Sequence, residues 1–435
     1  MRFEIKKISA VVLLAATLFV APGLSRAYEP QFADNAGRVP LRWKNGVVTL
    51  ALSNSLKQAA NIKAGSDIPG AIDRSLKTWE SAANIKFNTI WTDRQSISAA
   101  EGKGDAVSLL TVASTPENVA PFSGSGAELA GRTRIFYTKR GLVTEADIVL
   151  NPFQQFSTDD TIGTYDLQAT ITHEIGHLLG LEHSSVLGAT MHPQQGRNGT
   201  FSLPGFSPRT LAEDDRAGIR SLYGTKTENC CGTISGTLSS PGGKPLANLN
   251  VWIEDPSGRI IANAVTSASG ALNIAGLRAG RYNVLAQSEK SSVAEIGEVA
   301  VENGATASLN RTLNLPGKTF DLRLVGFNSQ LSTIAVPLNA GRSYLIFLGG
   351  DFTPAELAGI EASSPFLSVN QTSVKPQDFG KDLSVLSFQV EVAADAPKGE
   401  YSLRLRKKNG ETIYLIGCLT IDDVPNDTQT RFFSE

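Results

Sequence analysis

The sequence predicts an α+β domain followed by two all-β sandwich domains, and three features of the chain indicate this order. From Tyr28 to about Thr225, strand-like runs are mixed with segments in which apolar residues recur at helical spacing. After Gly232 the helical period disappears. From there to about Asp422, short apolar runs alternate with turn clusters of glycine, proline and serine, which is typical of β-sandwiches.

The first domain, residues 28–225, is predicted to combine strands with three helices. Strand-like runs occupy residues 47–52, 106–113, 134–137 and 146–150. Apolar residues at helical spacing predict helices over residues 72–83 and 167–178, and the capping-box sequence TLAE at residues 210–213 opens a third. Strands and helices in the order β–α–β–β–β–α–α indicate an α+β fold.

The composition of the chain excludes several classes of protein. Its 435 residues predict two to four domains, at roughly 100–200 residues each. Hydrophobic residues make up 41% and charged residues 19%, so most of the chain is expected to fold. A formal net charge of −2 gives no basis for binding nucleic acid or an acidic membrane surface.

The N-terminus is predicted to be a secretory signal peptide over residues 1–27. A segment of net positive charge precedes an apolar run at residues 11–21, which is too short to span a bilayer as a helix. Small residues at Ser25 and Ala27 fit a cleavage site just before Tyr28. The short run disfavours the alternative of a membrane anchor, and no later segment is long and apolar enough for a membrane span. We therefore expect a secreted protein, extracellular or periplasmic.

Residues 173–183 (HEIGHLLGLEH) carry the pattern from which the function is inferred. His173 and His177 are four residues apart, so on a helix their side chains share a face. Gly180 can adopt a positive φ and end the helix, and the turn would return His183 as a third ligand. Three imidazoles leave the fourth zinc position for water, which is the open geometry of a catalytic site.

Glu174 follows the first histidine and is the candidate catalytic residue. Its carboxylate can reach a zinc-bound water and act as general base, while zinc lowers the pKa of that water and polarises the scissile carbonyl. The chain has only four histidines, and three of them fall at these spacings. This disfavours the alternative that they are ordinary core or surface histidines.

The segment matches the zinc signature of the metzincins, and the domain resembles their matrixin (matrix metalloproteinase) branch. Metzincins place a methionine in a tight turn beneath the zinc, and Met191, the only internal methionine, lies at a fitting distance from His183. Ser184, directly after the third histidine, is also matrixin-like. Further matching segments are residues 145–148, 165–167 and 211–224.

The resemblance covers most of residues 47–224 and implies a fold, an activity and a substrate site. The fold would be a twisted mixed sheet of five strands with three helices, and the activity endopeptidase cleavage of extended protein or peptide chains. The cofactor would be one catalytic zinc ion per chain. A substrate would pair antiparallel with an edge strand around Leu129, Ala130 and Gly131. Pro193 and its neighbour His192 would wall the specificity pocket.

The chain departs from the animal matrixins in three respects. Their second, structural zinc uses histidines outside the signature, and only His192 remains here, so that site is expected to be absent. No Asp- and Gly-rich loop of the matching kind indicates calcium, and calcium binding stays open. No cysteine precedes Cys230, so the pro-domain cysteine that blocks the zinc in latent matrixins has no counterpart.

The second domain, residues 226–316, resembles carboxypeptidase regulatory-like sandwiches over residues 236–286. The third, residues 317–423, is weakly similar to bacterial immunoglobulin-like (IPT/TIG-type) domains, and a polar tail follows at residues 424–435. We expect both domains to be spacers, with attachment to a cell surface or matrix as the alternative. Residues 232–435 supply no zinc ligand, so they are expected to be dispensable for cleavage of a short peptide.

The three cysteines leave their pairing open. Cys230 and Cys231 are adjacent, and Cys418 lies far along the chain. We favour either one long-range disulfide from Cys418 to the adjacent pair or three unpaired thiols. An intermolecular disulfide and a vicinal redox pair are the alternatives.

Together these patterns predict a secreted zinc metalloendopeptidase with two C-terminal modules. The alternative is an exported adhesion or scaffold protein whose metzincin-like domain has lost its activity. The retained ligands and Glu174 argue against it, because an inactive relative usually loses the base first.

Overall fold

The computed structural model describes residues 30–34, 39–203, 209–225, 230–380 and 383–422. The predicted signal peptide (1–27) and polar tail (424–435) lie outside the described residues. An α+β domain comes first, and two β-rich domains follow it along the chain. No helix among the described residues is long and apolar enough to cross a membrane.

The first domain is built on a sheet of five strands. They are β1 (Val47–Ser53), β2 (Lys86–Thr92), β3 (Ser108–Thr111), β4 (Gly131–Tyr137) and β5 (Val143–Leu150). The order across the sheet is β2–β1–β3–β5–β4. All neighbours are parallel except β4, which pairs antiparallel with β5 and forms one edge of the sheet. This is the mixed sheet that the resemblance implies.

The described part of this domain contains four α-helices. They are α1 (Ile68–Ala82), α2 (Pro116–Val119), α3 (Leu167–Leu178) and α4 (Glu213–Tyr223). Three were predicted, and α2 was not, because a single turn is too short to show helical periodicity. Trp79 of α1 is fully buried against α3, where its indole N–H donates to the Thr172 carbonyl at 2.9 Å.

Two short strands, β6 (Phe156–Ser157) and β7 (Tyr165–Asp166), pair directly ahead of α3. The Asp166 carboxylate accepts a hydrogen bond from the Ala169 N–H at 2.7 Å and so caps α3. This cap fixes where the helix that carries the histidines begins.

The second domain consists of two sheets. Its strands are β8 (Gly232–Ser239), β9 (Asn250–Glu254), β10 (Ile260–Val265), β11 (Ala271–Leu277), β12 (Gly280–Gln287), β13 (Ala294–Val301), β14 (Thr306–Ser308) and β15 (Arg311–Thr312). One sheet has the order β10–β9–β12–β13 and the other β11–β8–β14, with β15 also paired to β8. Residues that alternate inward along the strands, such as Ile234, Val251 and Ile274, fill the space between the sheets.

The third domain is a larger sandwich. Its strands are β16 (Asp321–Phe327), β17 (Gln330–Ser332), β18 (Val336–Leu338), β19 (Ser343–Asp351), β20 (Leu357–Ala362), β21 (Leu367–Gln377), β22 (Ser384–Val392), β23 (Gly399–Lys407) and β24 (Thr412–Ile421). The sheet orders are β17–β16–β19–β22–β21 and β18–β24–β23–β20.

The three domains pack against one another through a shared hydrophobic cluster. Its members, all at most 6% exposed, are Val186, Ala189 and Ala212 of the first domain, Trp252, Ile260 and Leu285 of the second, and Tyr414 and Ile416 of the third. The sandwiches therefore touch the first domain directly rather than extend away from it. The sequence did not reveal this packing.

The favoured cysteine arrangements, a long-range disulfide or three unpaired thiols, are wrong, and the structure contains the vicinal pair that was an alternative. Cys230 and Cys231 are bonded to each other, and Cys418 is free. Cys418 lies on β24 with its side chain fully buried in the core of the third domain, so it is not available to the adjacent pair that precedes β8. The same burial raises the pKa of its thiol to about 12.

Candidate metal centre and cleft

The structure brings His173, His177 and His183 together at the end of α3. One ligand atom from each lies within 4.8 Å of the others, and the Nε2 atoms of His177 and His183 are 3.1 Å apart. Two nitrogens bound to one tetrahedral zinc at about 2.0–2.1 Å would be separated by roughly 3.3–3.4 Å. The residues present therefore fit a zinc ion.

Gly180 makes this convergence possible. Its φ is +97°, and a Cβ at this position would lie 2.3 Å from the Leu41 carbonyl oxygen. Only glycine combines that backbone conformation with such a close approach. The chain turns here and returns His183 beside the helix, as the spacing predicted.

Backbone carbonyls orient two of the imidazoles. Nδ1 of His173 lies 2.7 Å from the Thr190 oxygen, and Nδ1 of His177 lies 2.9 Å from the Leu181 oxygen. A carbonyl only accepts, so Nδ1 carries the proton in each ring and Nε2 keeps its lone pair for a metal.

Burial and the neighbouring imidazoles lower the pKa of each of the three histidines to about 3. The rings are therefore neutral at physiological pH, which is the form that binds a metal ion.

Glu174 lies beside the triad and beneath the edge strand. It is 4% exposed, and its Oε2 accepts a hydrogen bond from the Thr133 hydroxyl of β4 at 2.6 Å. Burial raises the pKa of its carboxyl to about 7, against the opposing effect of the Thr133 hydrogen bond. A carboxyl with a pKa near neutrality is suited to general acid–base work. Sequence analysis missed Thr133, although strand alternation would have placed it on the same face as Gly131.

Met191 packs directly beneath the histidine helix. It is 2% exposed, and a Cβ on Gly176 would lie 2.2 Å from its sulfur. The carboxylate of Asp215 holds this turn, accepting the backbone N–H of Thr190 at 2.8 Å and of Met191 at 3.1 Å. Asp215, in the first turn of α4, thus joins this helix to the methionine turn.

The predicted substrate-binding residues lie on two different segments. Leu129 and Ala130 lead into Gly131, which begins the edge strand β4. The Asn151 side chain holds this approach by donating to the Leu129 carbonyl at 2.8 Å. A Cβ on Gly131 would lie 2.8 Å from Glu174 Oε1, so the strand passes close over the carboxylate.

His192 and Pro193 follow the methionine turn. The Nε2 of His192 lies 3.2 Å from the carbonyl oxygen of Thr333 in the third domain, and burial lowers the pKa of the ring to about 4. The ring therefore contacts another domain, which sequence analysis did not anticipate.

Arg197 links the segment that follows Met191 to residues ahead of β4. Its guanidinium donates to Gln154 Oε1 at 2.6 Å and to the Gly163 carbonyl at 3.1 Å, and it stacks 4.3 Å from the centre of the Tyr165 ring. The Tyr165 hydroxyl in turn donates to the carbonyl of Glu128, just ahead of β4, at 2.9 Å. The segment after Met191 is thus tied to the approach of the edge strand.

Comparison with known protein families agrees with this geometry. Residues 42–224 match the family model described as matrixin. Residues 233–314 match the carboxypeptidase regulatory-like domain. The immunoglobulin-like assignment of residues 317–423 remains a prediction.

Curated relatives are similar to part of the chain. Stromelysin-1 of Rattus norvegicus is 33% identical over 162 residues, which are 37% of this chain and 30% of that protein. Metalloendoproteinase 1 of Glycine max is 30% identical over 194 residues, 42% of this chain and 53% of that protein. Stromelysin-3 of Xenopus laevis is 29% identical over 183 residues, 42% of this chain and 32% of that protein.

The chain thus spans about a third of the two stromelysins and about half of the Glycine max protein. Each of these relatives covers 37–42% of this chain, and the two family models follow one another along it. By these matches, residues 42–224 of this chain are similar to the matrixin family, and residues 233–314 are similar to carboxypeptidase regulatory-like domains.

Proposed function

We propose that the protein is a secreted, zinc-dependent endopeptidase that cleaves extended polypeptides. One observation carries the proposal: three neutral imidazoles converge within 4.8 Å, next to a buried carboxyl whose pKa is near 7. Similarity to the matrixin family supports the zinc dependence. His173, His177 and His183 would hold one catalytic ion per chain, which when bound activates water and polarises the scissile carbonyl.

Glu174 moves the proton in this proposal. Its Oε2 is occupied by the Thr133 hydroxyl, which leaves Oε1 to accept a proton from the attacking water. The same oxygen then delivers the proton to the departing amine, so that the carboxylate is regenerated. Thr133 keeps the carboxylate in one orientation throughout.

The substrate backbone would add a strand to the open edge of β4. Leu129, Ala130 and Gly131 lead into this strand, and Gly131 brings the backbone close to Glu174. A peptide paired antiparallel there would place its scissile carbonyl beside the histidines. Main-chain pairing of this kind selects extended chains rather than a particular sequence.

Secretion rests on the predicted signal peptide, residues 1–27. Attachment of the protein to a cell surface or matrix through its C-terminal domains is part of the same proposal. Both are testable by locating the mature chain after expression in its native host with and without residues 232–435.

The activity is tested by incubating the purified mature chain with a peptide library and identifying products by mass spectrometry. We expect internal cleavages that a chelator abolishes and added zinc restores. The alternative of an inactive adhesion or scaffold protein predicts no cleavage under any of these conditions.

The four histidines offer a matched control for the metal site. His183→Ala is expected to lose bound zinc, whereas His192→Ala is expected to retain it, because His192 bonds Thr333 rather than joining the triad. Metal analysis giving equal zinc content in both variants would contradict the assigned ligands.

A further inference from the structure

The segment that follows the methionine turn belongs to the first domain but is buried in the third domain. Phe201 is fully buried and Leu203 is 2% exposed, and both side chains lie in the third domain's hydrophobic core with Phe327. Neither residue contributes to the main core of the first domain. The two domains thus share this piece of chain.

Side chains of the third domain also form hydrogen bonds with the backbone of Phe201. Its N–H donates to Gln330 Oε1 at 2.7 Å, and its carbonyl accepts from Asn328 Nδ2 at 2.8 Å. Gln330 Nε2 also lies 3.3 Å from the Ser202 hydroxyl. These contacts come from the turn between β16 and β17 and from the start of β17.

The third domain also holds the start of the segment that follows the methionine turn. His192, directly after Met191, contacts the Thr333 carbonyl just past β17. On the other side of the methionine turn, the Leu187 N–H donates to the Ile416 carbonyl of β24 at 3.1 Å. Both flanks of the turn beneath the candidate zinc site therefore rest on the third domain.

Between these two attachments the segment reaches the approach of β4. Arg197 lies midway between His192 and Phe201 and makes the contacts to Gln154, Gly163 and Tyr165 that join it to the approach of β4. A shift of the anchored ends would be transmitted to Arg197, because only a few residues separate it from either anchor.

We propose that the third domain is a positioning element of the protease, and that Gln330 is a positioning residue for the wall formed by residues 192–203. This inference rests on the proposed peptidase function. Substrate selection by this wall is then set by two domains together. The expectation that residues 232–435 are dispensable for peptide cleavage does not hold under this proposal.

The test compares Gln330→Ala with Gln389→Ala, a matched substitution on an exposed position of β22 in the same domain. Losing the hydrogen bond to the Phe201 N–H is expected to lower kcat/KM by about 3- to 10-fold, mainly through KM. The cleavage-site profile of the peptide library is expected to broaden, with zinc content unchanged. Gln389→Ala is expected to match the wild type in every measurement.

Phe201→Ala removes the buried aromatic side chain. This variant is expected to lower kcat/KM and to alter the library profile more than Gln330→Ala does. If that variant does not fold, the Gln330→Ala comparison still decides. Wild-type KM and library profile in Gln330→Ala would overturn the proposal while leaving the peptidase function intact. Absence of cleavage by the wild-type chain would overturn both, so the two failures are distinguishable.

Discussion

Three buried carboxyl groups of the first and third domains interact electrostatically, and they make folding stability depend on pH. Glu400 of β23 is 6% exposed, and Asp214 and Asp215 of α4 are each 1% exposed. Burial, together with the charges of Asp215 and Asp214, raises the pKa of Glu400 to about 8. Burial raises the pKa of Asp214 to about 8 and that of Asp215 to about 6.

The sign of the effect follows from proton binding. The folded protein holds the Glu400 proton more tightly than the unfolded chain, whose carboxyl has its ordinary pKa of 4.5. The stabilisation is therefore fully present below about pH 4.5 and is lost as the pH rises towards 8. A shift from 4.5 to about 8 would be worth at most roughly 5 kcal/mol at 1.36 kcal/mol per unit. Because Asp214 and Asp215 share this electrostatic effect, we expect the contribution of Glu400 to the free energy of unfolding to be about 2 kcal/mol.

Glu400→Gln keeps the shape of the protonated side chain and removes its titration. We expect the variant to match the wild type at about pH 4 and to be more stable at pH 8.5, by about 2 kcal/mol in the free energy of urea unfolding. Glu391→Gln, on an exposed position of β22, is the control and should leave the pH dependence unchanged. The reasoning fails if Glu400→Gln is no more stable than the wild type at pH 8.5.

Two further predictions concern α3 and the edge strand β4 that passes over it. Gly176→Ala would place a Cβ 2.2 Å from the Met191 sulfur, and this overpacking should lower the free energy of unfolding by about 1–3 kcal/mol in denaturant titration. Gly242→Ala, with nothing within 4 Å, should be neutral, and equal stability of the two variants would contradict the packing argument. Thr133→Val removes the hydrogen bond to Glu174 and should lower kcat about 10-fold while zinc content stays constant. An unchanged kcat would show that Thr133 does not orient the carboxylate.

The sequence predicted the parts of the site that depend on local spacing. The separation of His173 and His177 follows from the helical repeat, and the return of His183 follows from the glycine at position 180. Helices α1 and α3 were found for the same reason, since their apolar periodicity lies within one short stretch of sequence. The capping box predicted at residues 210–213 is wrong: α4 begins at Glu213 with Ala212 as its N-cap, whose N–H donates to the Asp215 carboxylate at 3.0 Å.

What the sequence did not predict depends on residues that are distant along the chain. Thr133 meets Glu174 across 41 positions, and Phe201 meets Gln330 across 129. The buried carboxyl of Glu400 gave no signal, because its burial exists only once three domains have packed. The cysteine pairing was wrong for a related reason: nothing local shows that Cys418 points into a core.

The central claim is that Glu174 is the general base beside a zinc held by the three histidines. Because Glu174 is not a ligand, Glu174→Ala is expected to fold and to retain the zinc content of the wild type. Its peptide turnover should fall by at least the roughly 10²–10⁴-fold typical of losing a positioned acid–base group. The decisive measurement is kcat of the two proteins at equal zinc occupancy. A large loss of kcat is predicted, and wild-type turnover in the alanine variant would contradict the account.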